Sequence, residues 1–214
     1  VFAYFNGVIP MAEMNMSREK WTVSCHSLFP SPLFVFNLTE HEVLDQVLLA
    51  VICRLKESDP GRLASNVLGW HCQGNLFDLE DLKPFQEIVD GAIAEVAQAM
   101  GYGNVPIRAA NCWANVNPQY ASNKIHDHAN CLFSGVYYVK TPKDCGNLMF
   151  YDPRTARTFY KPLVKEFTAF TADAVAHAAE AGLLLIFPSW LRHGVEPNLS
   201  QEERISVSFN YVFG

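Results

Sequence analysis

Residues 182–210 read GLLLIFPSWLRHGVEPNLSQEERISVSFN: an apolar run from Leu183 to Phe187, then Pro188, a histidine at 193 and an arginine at 204. The apolar run, bounded by glycine and proline, reads as a buried strand. From Arg204 the pattern alternates. A strand there puts Arg204, Ser206, Ser208 and Asn210 on one face and Ile205, Val207, Phe209 and Tyr211 on the other. Arginine offers a planar fork of donors that matches a carboxylate, and a serine two residues on adds a hydroxyl from the same face. A histidine at one strand mouth, with Arg-x-Ser on the next strand, has the chemistry to hold a metal and an anion side by side. A surface histidine and a solvated arginine explain this stretch equally well when it is taken alone, because both residue types are mostly exposed.

The partner stretch lies upstream, in NKIHDHANCLFSGVYYVK, residues 123–140. His126 and His128 stand at i and i+2, so on a strand both face one side and Asp127 faces the other. With His193 they make three nitrogen ligands from separate rigid elements. First-row metals such as iron suit imidazole, and an open side of the metal leaves room for a substrate or oxygen. Three unrelated histidines would require the His-x-His, both strand contexts and the arginine beyond the third histidine all to coincide. The metal reading is the stronger one.

With these residues the chain resembles iron(II)/2-oxoglutarate-dependent oxygenases, and among them a prolyl-hydroxylase-like group of marine bacteria and phages. The resemblance is carried by SNVLGW (65–70), HDHANCLFSGVYYV (126–139), GNLMFYDPR (146–154), GLLLIFPSWLRHGVEPN (182–198) and RISVSFN (204–210), and spans roughly Leu28 to the C-terminus. It implies a double-stranded β-helix, or jelly roll, with Fe(II) between its sheets on His126, His128 and His193. It also implies 2-oxoglutarate as co-substrate, chelated to iron and gripped at its far carboxylate by Arg204 and Ser206, with O2 completing the set. The implied reaction hydroxylates a C–H bond of a peptide, prolyl or small-molecule substrate and releases succinate and CO2. Asn115, eleven residues before His126, stands where alkylation-repair members of the superfamily carry a co-substrate asparagine, and an amide can donate to a carboxylate. Tyr137 is placed by analogy near the 2-oxoglutarate tail, with core packing as its alternative. Trp190, three residues before His193, is placed on the substrate side, with a structural role as its alternative.

One position departs from the superfamily. Most members use a carboxylate as the second ligand, where this chain has His128. A neutral imidazole donates less charge to the metal and alters its potential and affinity. Three histidines are therefore the first ligand set, with Asp127, re-aimed by a bulge, as the alternative.

Composition bounds the remaining classes. The chain has 214 residues, half of them hydrophobic, which is enough for one sizeable core. With 13% aromatic and 18% charged residues it does not read as disordered. The net charge is −6 and no Lys/Arg run occurs, so nucleic acid is not an expected partner. Six cysteines without a CxxC pair read as reduced, consistent with a cytoplasmic location. No apolar run approaches the ~18 to 20 residues a membrane span needs. Residues 1–27 carry no signal-peptide pattern and are taken as an extension without assigned role, leaving 28–214 as one domain.

The chain order supports an α+β, mainly β fold. SLFPSPLFVFNL reads as an extended edge segment because of Pro30 and Pro32. Thr39 and Glu42 suggest a capping box opening a helix that runs to about Glu57. Phe85, Ile88, Val89, Ala92, Ile93, Val96, Ala97 and Met100 form the stripe of a second helix, stopped at Gly101. Both helices are expected to buttress one face of a barrel. Segments 107–116, 131–139, 147–151, 157–170, 183–187 and 204–213 read as strands, and 171–181 as a strand and a turn at Glu180–Gly182. A homodimer is left open, since helix stripes that cover a barrel can also build one.

A second class stays open at this stage. Gly182, Pro188, His193 and Asn198 also resemble the second half-motif of cupins, which share the barrel. A cupin-type enzyme or ligand-binding module without 2-oxoglutarate would follow. Against it, Leu132 and Phe133 stand where the first cupin motif needs a glutamate, and Arg204-x-Ser206 would go unexplained.

Overall fold

The alternating segments form two antiparallel sheets that face each other, and the two helical stripes cover the outside of one. A computed structural model describes residues 16–18, 21–154 and 163–214. The short strands β1 (Met16–Arg18) and β2 (Trp21–Val23) pair with each other as a separate hairpin. Then come β3 (Phe34–Asn37), α1 (Glu42–Ser58), β4 (Asn66–Val67), β5 (Trp70–His71) and α2 (Lys83–Ala99). The strand-rich half holds β6 (Ile107–Asn117), β7 (Ser122–His126), β8 (Phe133–Lys140), β9 (Leu148–Tyr151), β10 (Ala174–His177), β11 (Leu183–Pro188), β12 (His193–Val195) and β13 (Arg204–Phe213).

The larger sheet has the order β3-β11-β8-β13-β6-β5 and the smaller β10-β9-β12-β7-β4. Their strands interleave in sequence, and this is the jelly-roll architecture expected. The apolar run of β11 is explained by its position, because it is buried on both faces. Leu184 and Ile186 join the layer between the larger sheet and the helices, while Leu183, Leu185 and Phe187 join the layer between the sheets.

The helix layer is the main core. Ile205, Val207, Phe209 and Tyr211 of β13 pack there with Leu48, Ile52, Phe85, Val89 and Val96 of the two helices. Each such side chain removed from water contributes about 1.5 to 3 kcal/mol. Gly135 is required by this packing, since a Cβ at that position would lie 2.3 Å from the ring of Phe209. Gly182 makes the turn into β11 with φ +80°, where any side chain would also meet His41.

Three expectations need correction. The helix α1 has no capping box: His41 is the N-cap residue, with no side-chain cap, and its Nδ1 instead meets the Asp45 carboxylate at 2.6 Å. Glu40 adopts a left-handed turn (φ 56°) just before it, which takes Thr39 out of capping register. Of the strand read over 157–170, residues 157–162 lie outside the described residues, and 163–170 form no strand, with a bend at 165–166 and a turn at 169–170. The strand read to include both His126 and His128 ends at His126. The segment 171–181, by contrast, does hold a strand, β10, followed by the turn at Gly182.

Candidate metal centre and anion pocket

The smaller sheet brings the histidines together. β7 and β12 are neighbours, and His126 stands directly opposite His193 in their register. His128 lies past the end of β7, and its backbone N–H donates to the Ser189 carbonyl at 3.0 Å. That bond ties the turn after β7 to the end of β11. The three ring centroids are 4.4, 5.0 and 5.2 Å apart, and each ring offers a nitrogen within 4.8 Å of the others. Asp127 is exposed and is not part of this group.

Backbone carbonyls orient two of the rings, and burial keeps two of them uncharged. His126 Nδ1 lies 2.7 Å from the Lys124 carbonyl, and His193 Nδ1 lies 2.9 Å from the Leu191 carbonyl. A carbonyl only accepts, so both Nδ1 atoms carry a proton and both rings are left with Nε2 as the atom to offer a metal. Burial holds His193 down to about 3, the carbonyl of Leu191 opposing the shift, and burial holds His128 down to about 4 with His126 adding to it. A metal takes the neutral imidazole, and at neutral pH these two rings are neutral.

The larger sheet supplies the other end of the cleft. β13 pairs with β6 and β8 in a register that stacks side chains in rows across the floor: Asn115, Ser206 and Tyr138 in one row, Trp113, Ser208 and Val136 in the next. Arg204, at the strand's start, is 2% exposed. Its Nη1 donates to the Cys145 carbonyl at 3.4 Å, its Nε has no partner, and no carboxylate is within ion-pair distance among the described residues. Burial lowers its pKa, and the same burial raises Tyr138 to about 12, so at neutral pH the hydroxyl beside the guanidinium stays protonated. Asn115 donates from Nδ2 to Ser208 Oγ at 3.3 Å, while its buried Oδ1 has no partner. A buried guanidinium without a counter-charge is costly unless an anion meets it. The three histidines, Asn115, Tyr138, Arg204 and Ser206 all line one cleft.

Two sequence expectations fall elsewhere. Tyr137 faces the helices, where its hydroxyl donates to Asp45 Oδ1 at 2.7 Å, and burial raises its pKa. Its neighbour Tyr138 takes the position by the arginine, because successive residues of a strand face opposite sides. Trp190 is 54% exposed and does not line the cleft. The residue that sequence reasoning missed is Trp113, whose ring lies 5.7 Å from that of His128 and stacks 5.5 Å from the buried His71. Its signal was the alternation of β6, which puts Asn111, Trp113, Asn115 and Asn117 on one face.

The family model described as putative 2OG-Fe(II) oxygenase matches residues 111–210, the segment that holds the three histidines, Asn115, Arg204 and Ser206. No curated protein sequence matches the chain. Among solved structures, a Pseudomonas putida prolyl-4-hydroxylase is similar at 17% identity and TM-score 0.58, covering 86% of this chain and 94% of that one. HygX from Streptomyces hygroscopicus, solved with nickel, 2-oxoglutarate and hygromycin B, is similar at 13% identity and TM-score 0.60, covering 85% and 83%. A Trichoplax adhaerens prolyl hydroxylase, in complex with a hypoxia-inducible-factor peptide fragment, is similar at 18% identity and TM-score 0.55, covering 85% and 83%. At these identities the structures speak to the fold alone. The matched segment, just under half of the chain, and the shared fold make the chain similar to the 2OG-Fe(II) oxygenases, a family that works with Fe(II), 2-oxoglutarate and O2.

Proposed function

We propose that His126, His128 and His193 hold Fe(II), that Arg204, Ser206 and Asn115 hold the far carboxylate of 2-oxoglutarate, and that the chain hydroxylates a C–H bond of a peptide or small-molecule substrate. The observation that carries this reading is Arg204: a buried guanidinium without a counter-carboxylate among the described residues, on the floor of the cleft that the histidines close. The donor set suits the metal, because three uncharged imidazoles leave open positions on a first-row ion. Fe(II) with 2-oxoglutarate and O2 would supply the oxidising power, 2-oxoglutarate leaving as succinate and CO2.

The chain's own residues do the positioning. Arg204 offers a charge-assisted pair of N–H donors, and Ser206 a hydroxyl from the same strand face. Tyr138, protonated beside Arg204, has a hydroxyl to donate to the same carboxylate. Phe187, Leu148 and Val136 line the wall between the two polar ends and exclude water there. The P. putida and T. adhaerens neighbours are prolyl hydroxylases and the HygX structure holds hygromycin B, which supports a peptide or a small molecule as the substrate class.

The test is an anaerobic titration with Fe(II) and then 2-oxoglutarate, watching for the visible charge-transfer band of the chelate. The reading expects a band that Arg204→Ala abolishes while metal binding persists. Metal binding without a 2-oxoglutarate chelate would return the site to a cupin-type or binding-module role.

A further inference from the structure

His126 and His193 each have Nδ1 fixed by a backbone carbonyl close in sequence, but His128, which lies off the strand, has no such carbonyl. The polar atom near its Nδ1 belongs instead to Asn210, whose side-chain amide stands 3.5 Å away. Asn210 is 4% exposed and sits in a row of side chains across the end of the larger sheet. Its amide bonds Asn111 at 2.9 Å and Ser134 Oγ at 2.7 Å, and Ser134 Oγ meets Ser189 Oγ at 2.8 Å. Ser189 is also the residue whose carbonyl receives the His128 N–H. The row therefore holds His128 from both its backbone and its ring.

We infer that Asn210 is the positioning residue of His128: its amide oxygen accepts the Nδ1–H and so presents Nε2, with its lone pair, to the metal. This rests on the three-histidine reading above. The structure draws Asn210 with Nδ2 toward the ring, and in that sense the ring accepts at Nδ1 and its proton sits on Nε2, the wrong tautomer for a ligand at Nε2. An amide is nearly symmetric in shape, so the chemistry of its partners decides its sense. Turned over, Asn210 Oδ1 accepts from His128, Nδ2 donates to Ser134 Oγ, and the Ser134 hydroxyl passes its proton on to Ser189 Oγ. Asn111, turned likewise, donates its Nδ2 to Asn210 Oδ1. Every group in the row then keeps a partner. The arrangement supplies from a side chain what the strand supplies to the other two rings, which is the need created when the second ligand is an imidazole beyond the strand's end.

The test uses Zn(II) as probe, with affinity from competition against a chromophoric chelator and ring tautomers from long-range 15N–1H spectra of the Zn(II)-loaded protein. Asn210→Ala should weaken Zn(II) binding by about 10- to 100-fold, the usual effect of removing a group that orients a ligand. Asn210→Asp, an acceptor toward all three neighbours, should bind at least as tightly as the wild type. In the wild type and in Asn210→Asp, the spectra should show His128 protonated at Nδ1. Binding by Asn210→Ala within twofold of wild type, an Asn210→Asp variant as weak as the alanine, or metal on Nδ1 of His128 would each overturn the inference. If the alanine variant does not fold, the aspartate variant and the wild-type spectra decide. His193→Ala separates the levels: a site lost there but indifferent to Asn210 overturns only this inference, while a wild-type chain that binds no metal overturns the three-histidine reading with it.

Discussion

The strand β13 has two faces that obey different rules. Ile205, Val207, Phe209 and Tyr211 look to the helices and are buried among apolar neighbours, and they account for stability. Arg204, Ser206, Ser208 and Asn210 look to the cleft, and three of the four are as deeply buried. Burial on that side works against the free protein, because it desolvates a guanidinium and leaves amide and ring atoms short of partners. The lesson is that one strand separates two environments by the pleat alone: its odd-numbered residues hold the fold together, and its even-numbered ones turn polar groups into the cleft.

Four experiments break or sharpen this contrast. The largest effect is expected from acid acting on the cleft side. Burial holds His71 and His128 down to about 4 and His193 to about 3, from an ordinary 6.5. The unfolded chain therefore takes up protons below about pH 6.5 that the folded chain refuses. Stability present above that pH falls as pH drops toward 4 and 3, on the order of 3 kcal/mol per ring across the full interval. Urea unfolding of metal-free protein at pH 7.5, 5.5 and 4.5 checks the direction, and a flat profile would contradict it. None of Ile205, Val207, Phe209 and Tyr211 titrates in this range.

Phe209→Ala comes next and acts on the opposite face. It should cost about 3 to 5 kcal/mol, because it leaves a cavity beside Gly135 that the helices cannot fill. Chemical denaturation measures it. Arg204→Ala should show the reverse pairing. 2-Oxoglutarate affinity falls by at least about 30-fold, in line with the roughly 2 to 5 kcal/mol lost when one partner of a buried charge pair is truncated. The Tm of the ligand-free protein meanwhile holds or rises, because an unpaired buried charge has been removed. A lower Tm would mean that Arg204 supports the fold rather than the ligand. The smallest effect is Tyr137→Phe, which removes the hydrogen bond to Asp45 and should cost about 1 kcal/mol while leaving 2-oxoglutarate binding unchanged. A loss of 2-oxoglutarate affinity there would restore Tyr137 to the pocket.

What could be read from the chain was whatever repeats with the period of its own backbone. The alternation in 204–211 told which side chains share a face, and the apolar stripe of 85–100 told which face of α2 is buried. The pairing of His-x-His with a distant histidine and Arg-x-Ser pointed to side chains that the structure does bring to one cleft. What stayed hidden depends on partners far away in sequence. Nothing local distinguishes Tyr137 from Tyr138 until α1 brings Asp45 to one side of β8 and β13 brings Arg204 to the other. Nor does His126-Asp127-His128 reveal where its strand stops, because that is set by β12, which pairs as far as His193, and by the Ser189 carbonyl that captures the next turn. Periodicity is a property of adjacent residues, so the sequence by itself determined the faces. Which neighbour each face meets is settled by closure of the two sheets, and only the tertiary structure decided that.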